Sequence, residues 1–455
     1  MAAIITSKFR LENATNFKKV FASLTDSVYL AIGKSDNWNS MLGGPETAAP
    51  TPVDTLVERN DFWQNAIALK KVDSSLVTHI IPRYNWTAGQ AYVPWDDASD
   101  AIFTQKFYVI TTEFKVYKLI AKGPTATTVQ VEPSHVTLAP LNAGDDYIWK
   151  YMYTVTAAEA TAFMTNLYMP VKTVVLPPGG IVDLSPEDQT RYNNQNNSAA
   201  DAGKIYRIHV TAGGTGYTSA PTVVINGNGS GATATAIVSG NAVTRVDIVT
   251  NGANYSVASV SFTGGGGSGA AARAILSPKG GHGTDPVSEL GGFYIGMRVV
   301  LNGPEGSGDF IVDGATFRQI GIIKNPYNQG STNIAGAATL SALKSLTLTG
   351  GSVTGVFQVG DYITDTSGGS GARAYVDAYN PSTGVLKYHQ NDKTGYVPFT
   401  VGMTIGGASS GSGPIATLSN PEVDRFSGEV MFIENRAAII RSGSQLEDIK
   451  MILEF

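Results

Sequence analysis

Apolar positions in the first 180 residues follow two different periods. In the run Phe17–Leu24, Phe17, Val20, Phe21 and Leu24 recur at three and four residues and predict a helix, and Ser27–Lys34 predicts a strand ending at Gly33. Past Pro52 a second helix is expected, with Asp54 as cap and Leu56, Trp63 and Ile67 along one face. Thr156 and Glu159 spell a T-x-x-E capping box for a third helix that stops before Pro170. Between the last two, Ala101–Gly123 alternates β-branched and aromatic residues and ends at Gly123-Pro124, the profile of a strand pair. This portion reads as a self-contained α+β or β-sandwich unit.

The texture then changes. Ser185–Gly203 is polar, and the expectation is a linker or exposed loop. Gly214–Ile237 is followed by a worn copy, Gly252–Ile275, 38 residues on, which aligns Tyr217 with Tyr255 and Gly229–Ala232 with Gly267–Ala270. After Ser277-Pro278 strands are expected again, in Gly292–Gly303 and Phe317–Asn325. A second pair, Val359–Val376 and Val401–Leu418, repeats at 42 residues, aligning Ile363 with Ile405 and Ser370-Gly371 with Ser412-Gly413. Each copy is a short apolar strand, a glycine turn and a small-residue strand. One copy has too little core to stand alone, so each pair is expected to form a module in which the copies cover each other.

Composition agrees with a mainly β, multi-domain chain: 455 residues, 51 of them Gly, and only 15% charged. The net charge of −5, with no run of Lys or Arg, gives nucleic acid no electrostatic footing. Without cysteine there are no disulfides, thiolate zinc sites or cysteine nucleophiles. No signal peptide or apolar membrane span is legible, so a product made and at first kept soluble in the cytoplasm is expected.

Candidate chemistry is sparse. Gly227–Ala232 lacks the spacing of a nucleotide loop, and the repeat glycines lack the Asp of a calcium-binding β-helix. His79, His135, His209, His282 and His389 fall in no metal-binding frame and are expected to be isolated. Asp96-Asp97 beside Trp95 and Asp145-Asp146 beside Tyr147 superficially offer paired acids with aromatic platforms, as a glycosidase needs. Both read more naturally as solvated turns. No catalytic, cofactor or metal residue is assigned. The five tryptophans lie in the first third, and Trp86 and Trp95, on expected turns, suit protein contacts.

Several ordered blocks, among them Val28–Trp38, Pro50–Val72, Thr78–Asp97, Asp146–Val155, Gly280–Gly292, Phe317–Pro326 and Gly428–Phe455, make the chain resemble the gene-eight baseplate wedge subunits of T4-like contractile-tailed phages. That resemblance implies stacked β-sandwiches with a few short helices, a homodimer, contacts with other wedge proteins, and no catalytic residue or cofactor. It implies a place in the virion tail baseplate after assembly in the host cytoplasm, holding the wedge through the adsorption-triggered change, without nucleic acid or membrane insertion. Trp63, Tyr84, Trp86 and Trp95, inside the matching blocks, are the candidate interface or framework residues. The scaffold would then comprise residues 1–203, 278–344 and 421–455, with repeat modules inserted at 204–277 and 345–420. The alternative is a host-surface glycan module in which Tyr217, Tyr255, Tyr375 or Tyr396 stacks on sugar rings.

Overall fold

The computed structural model describes residues 4–42, 44–123, 130–301, 316–441 and 446–455; Pro124, which closes the predicted strand pair, lies outside them. The chain is mainly β, with antiparallel ladders and a few short helices. It divides into two compact units: Met1–Thr15 with Thr78–Gly296 and Ile452–Phe455, and Asn16–Val77 with Met297–Met451.

The first unit is built on a four-stranded sheet whose central strands are Lys115–Lys122 and Tyr147–Thr154, with Tyr108–Ile110 and Leu141–Asn142 outside them. The predicted hairpin is present, with Tyr108 opposite Lys118. Both faces of the sheet are covered. Val116, Met152 and Tyr153 join one core, and Tyr117, Leu119, Trp149 and Tyr151 join another. Two lysines, Lys118 and Lys150, lie in these strands with no exposed surface.

The second unit carries a five-stranded sheet in which Val28–Gly33 sits between Ala66–Lys71 and Thr316–Lys324, while Thr339–Ser341 and Glu429–Ile440 form the edges.

The helices correct several expectations. Helix α1 spans Ser7–Val20, so the apolar run from Phe17 is its last turn, and Leu24 is fully exposed beyond it. Helix α2 spans Leu56–Asn65, and its cap is Thr55, whose hydroxyl accepts from the Glu58 N–H. Asp54 pairs with Arg59 instead, and Ile67 belongs to the following strand. Helix α3, Ala157–Phe163, starts at the predicted capping box, with both reciprocal bonds formed.

The segment expected to be a linker is helix α4, Pro186–Ser198, capped by Ser185 with proline and acids in its first turn. Its buried stripe is polar: Arg191, Gln195 and Ser198. Arg191 forks onto both Glu159 oxygens at 2.6 Å, Gln195 accepts from Val174 N at 3.0 Å, and Ser198 accepts from Lys150. A search for apolar periodicity misses a helix buried through hydrogen bonds.

Each repeat pair closes into one six-stranded barrel, Ile205–Leu276 in the first unit and Lys344–Ser419 in the second. In the first barrel the copies interleave. Ser268–Leu276 of the second copy pairs with Ile205–Thr215 of the first, and Ser230–Ser239 of the first pairs with Ala242–Ala253 of the second. Registers repeat at the sequence period: Ala270 faces Gly213 as Ala232 faces Asn251, and both ladders slip at equivalent places. Neither copy therefore completes a sheet by itself.

Tyr217 and Tyr255 are buried, each ring lying over a glycine of the other copy. A Cβ on Gly267 would come within 2.5 Å of the Tyr217 ring, and one on Gly229 within 2.5 Å of the Tyr255 ring. These glycines serve ring packing, whereas Gly231 and Gly269, at φ of 83° and 81°, supply the left-handed backbone near the start of strands Ser230–Ser239 and Ser268–Leu276. In both barrels the first and last strands are neighbours, Ile205 opposite Leu276 and Ser345 opposite Ser419.

Replacing Gly229 or Gly267 by Ala should destabilise the first barrel by about 1–3 kcal/mol through overpacking. Gly336→Ala, where a Cβ meets nothing within 4 Å and φ is not positive, should be neutral; thermal or urea melts of the three variants check both expectations.

Candidate functional site: the ionic seats of the two barrels

Each barrel rests on a cluster of charges contributed partly by its own strands. In the first unit the socket is the loop Trp95-Asp96-Asp97. Arg273 donates to Asp96 and Asp97, each at 2.5 Å. Arg207 donates to the Trp95 carbonyl at 2.7 Å and reaches Asp96 at 3.4 Å. Backbone bonds complete the joint: Leu276 N donates to Asp97 at 3.1 Å and the Trp95 indole donates to Leu276 O at 3.3 Å. Burial disfavours the charged Asp96, but the Ala98 N–H and Arg273 outweigh it and hold its carboxyl below the usual range. The acids read as solvated turns are thus engaged in binding two barrel arginines.

Beneath this loop, Lys118 lies 3.9 Å from the Trp95 ring centroid and donates to Glu289 at 2.9 Å. Glu289 ends the short helix α5, Pro286–Glu289, and also accepts from Gly283 N at 2.8 Å. Lys150 donates to the Leu138 carbonyl and to Ser198 at 3.1 Å, and pairs with Asp201 at 3.4 Å. Asp201 in turn accepts from Tyr206 at 2.9 Å, at the start of the barrel. His282, also buried here, is pushed well below the ordinary imidazole range by burial and by Lys118 and Lys150, so it stands neutral beside the two lysines.

The seat of the second barrel centres on His389, fully buried between two aspartates. Its Nδ1 lies 2.8 Å from Asp377, while Nε2 faces Asp36 at 3.5 Å, within ion-pair reach. Asp36 also binds Lys34 at 2.8 Å and Lys393 at 2.5 Å. Asp377 accepts from Ser35 at 2.6 Å, Asn391 donates to Asn65 at 3.0 Å, and the Tyr375 ring stacks on His389 at 5.4 Å. Burial opposes the imidazolium, but Asp377 and Asp36 together prevail and push His389 up to about 9. Burial likewise opposes the Asp36 carboxylate, yet His389, Lys34 and Lys393 hold it far below the usual range. His389 was expected to be isolated; folding brings together groups that are distant in sequence.

The four aromatic candidates occupy different places. Trp63 is buried in the core of the five-stranded sheet with Tyr29 and Phe62. Tyr84, partly buried, packs its ring 5.2 Å from Tyr108. Trp86 lies against the Tyr92, Tyr117 and Trp149 cluster. Trp95 forms the wall of the first socket. Of the tyrosines offered for sugar stacking, Tyr217, Tyr255 and Tyr375 are buried, whereas Tyr396 is exposed and hydrogen-bonded through its hydroxyl to Asp392 and Gln64. Among the described residues no group of three or more His, Asp or Glu side chains is placed to hold a metal ion, and no helix is long and apolar enough to cross a membrane.

What could have flagged the seats is a charge placed inside an otherwise apolar strand. Lys118 stands between Tyr117 and Leu119, Lys150 between Trp149 and Tyr151, and Asp377 between Val376 and Ala378.

Removing one partner strands the other charge. Asp36→Asn should cost roughly 3–5 kcal/mol in urea unfolding, whereas Asp97→Asn, at a half-exposed site, should cost about 1 kcal/mol or less. The His389 contribution is complete below its unfolded value of about 6.5 and is lost as pH rises through about 9. The Asp36 contribution is present above about 3.9 and lost as pH falls further. Stability should therefore plateau between about pH 4 and 6.5 and decline towards 9, and His389→Gln should abolish the alkaline decline in unfolding measured across pH.

The family model described as Bacteriophage T4, Gp8 matches residues 3–112, which carry α1, α2, the Trp95 socket and two strands of the five-stranded sheet, Val28–Gly33 and Ala66–Lys71. The chain is 26% identical over 242 residues to the baseplate wedge protein gp8 of Enterobacteria phage T4, a likeness covering 45% of this chain and 70% of that protein. Over these stretches the chain is similar to the baseplate wedge protein gp8 of phage T4 and to the family model that describes it.

Proposed function

We propose that this chain is a structural subunit of the baseplate wedge in a contractile-tailed phage, residing in the virion tail and acting by assembly rather than catalysis. The likeness to the T4 wedge protein carries this reading. The arrangement of charge supports it: buried acids and bases pair with one another, and the candidate acids Asp96 and Asp97 bind Arg273. In this reading the chain forms a homodimer, contacts other wedge proteins and holds them together through the adsorption-triggered change. The barrels are additions to the wedge scaffold, since each begins and ends on paired neighbouring strands and so interrupts it at one point.

In sedimentation velocity the purified protein should run at about twice its 47.8 kDa chain mass, and deleting residues 345–420 should leave that species intact. Labelled antibody should mark the baseplate of mature particles. A monomer at micromolar concentration refutes the dimer, and unlabelled baseplates refute the assignment.

A further inference from the structure

In the second unit, residues 424–428 turn the chain from the short strand Val423–Asp424 into Glu429–Ile440, an edge of the five-stranded sheet. The turn is firmly held. The Ser427 hydroxyl donates to the Asp424 carbonyl and accepts from Tyr327 N at 2.9 Å, and a Cβ on Gly428 would meet the Lys324 carbonyl at 2.5 Å. Glu422 N donates to Ser341 O at 2.9 Å, and the Glu422 carboxylate accepts from Ser341 N at 2.8 Å. These bonds bring the turn beside Lys344, where the second barrel begins.

Two residues of the turn are costly where they stand. Phe426 has a φ of 69°, a left-handed backbone that crowds Cβ against the following carbonyl, and its side chain is exposed. Arg425 is half-buried, yet among the described residues it has no hydrogen bond and no carboxylate partner. Of its guanidinium nitrogens Nη1 is sealed from solvent, which leaves the edge formed by Nε and Nη2 within reach of it. Lys344, half-buried opposite Tyr388 across the barrel ladder, also lacks an acid among the described residues. Burial presses both cations below their ordinary ranges, and the charge of Arg425 presses Lys344 further. The exposed Tyr396 lies within the field of Arg425, and its hydroxyl engages Asp392. Nothing within the chain offsets these costs. Backbone strain, an exposed aromatic ring and an unpaired guanidinium in one anchored turn have the make-up of a contact hot spot.

We propose that this turn is a docking surface for a different protein of the baseplate wedge, one that brings a carboxylate to the Nε and Nη2 edge of Arg425 and an apolar side chain to Phe426 and Tyr396. The proposal rests on the wedge reading above. A second copy meeting this patch across a two-fold axis would set Arg425 and Lys344 against their own images, so charge disfavours a self-paired contact.

Two measurements test it. In thermal melts of the purified chain, Phe426→Gly and Arg425→Met should each leave the melting temperature unchanged or raised, because each removes a cost that the free chain does not recover. A fall of more than about 3 °C in either variant assigns the turn to the fold and overturns the proposal. In mature particles, p-benzoylphenylalanine in place of Phe426 should crosslink on irradiation to a peptide of another protein that carries Asp or Glu beside the crosslink. Adding Arg425→Met should lower the yield about fivefold or more. A chain present in particles overturns the proposal, and leaves the wedge assignment standing, if it gives no crosslink, crosslinks only to its own second copy or to a peptide without an acid, or crosslinks equally well without Arg425. A chain absent from particles overturns both.

Discussion

A charge taken out of water needs a counter-charge held close to it, and each barrel of this protein is attached where several charges meet that requirement together. Under the second barrel, the protonated His389 lies between Asp377 and Asp36, and Lys34 and Lys393 complete the set. Under the first, two arginines from barrel strands enter a loop of two aspartates above the buried Lys118–Glu289 pair. Such clusters contribute little net stability compared with an apolar interface of the same size. They are demanding about geometry, because a displaced partner leaves a stranded charge. A module seated in this way has one orientation and resists being turned out of it.

The barrels solve a separate problem, that of making a core from short, glycine-rich strands. Interleaving gives every strand a partner from the other copy and closes the sheet, which removes its edges. Tyr217 and Tyr255 supply most of the bulk that the small residues lack, and each needs a glycine in the opposite copy to lie against. Duplication at constant spacing follows: a change in one copy must suit the ring or turn supplied by the other. Tyr217 and Tyr255, which invited a sugar-binding reading, are committed to this packing.

Local and repeating features of this protein were legible in its sequence. The Thr156–Glu159 box, the hairpin before Gly123, the strand ending at Gly33 and the two repeat periods each depend on residues close in the chain, and each produced the element its pattern implied. Helix α4 was not legible, because its inward face binds through Arg191, Gln195 and Ser198 rather than through apolar residues. Nor was Thr55 as the cap of α2, since Asp54 beside it satisfies the same sequence rule.

The sequence by itself determined the β-rich class, the existence of two duplicated modules and the blocks that resemble a wedge family. Tertiary structure alone decided that the copies interleave, that Asp96 and Asp97 serve barrel arginines, and that His389 is charged. The reason is physical. Turns, caps and strand periods arise from neighbours in the chain, whereas the state of a buried ionisable group depends on which distant charges the fold brings within a few ångströms, and Asp36 and His389 are separated by more than 350 residues.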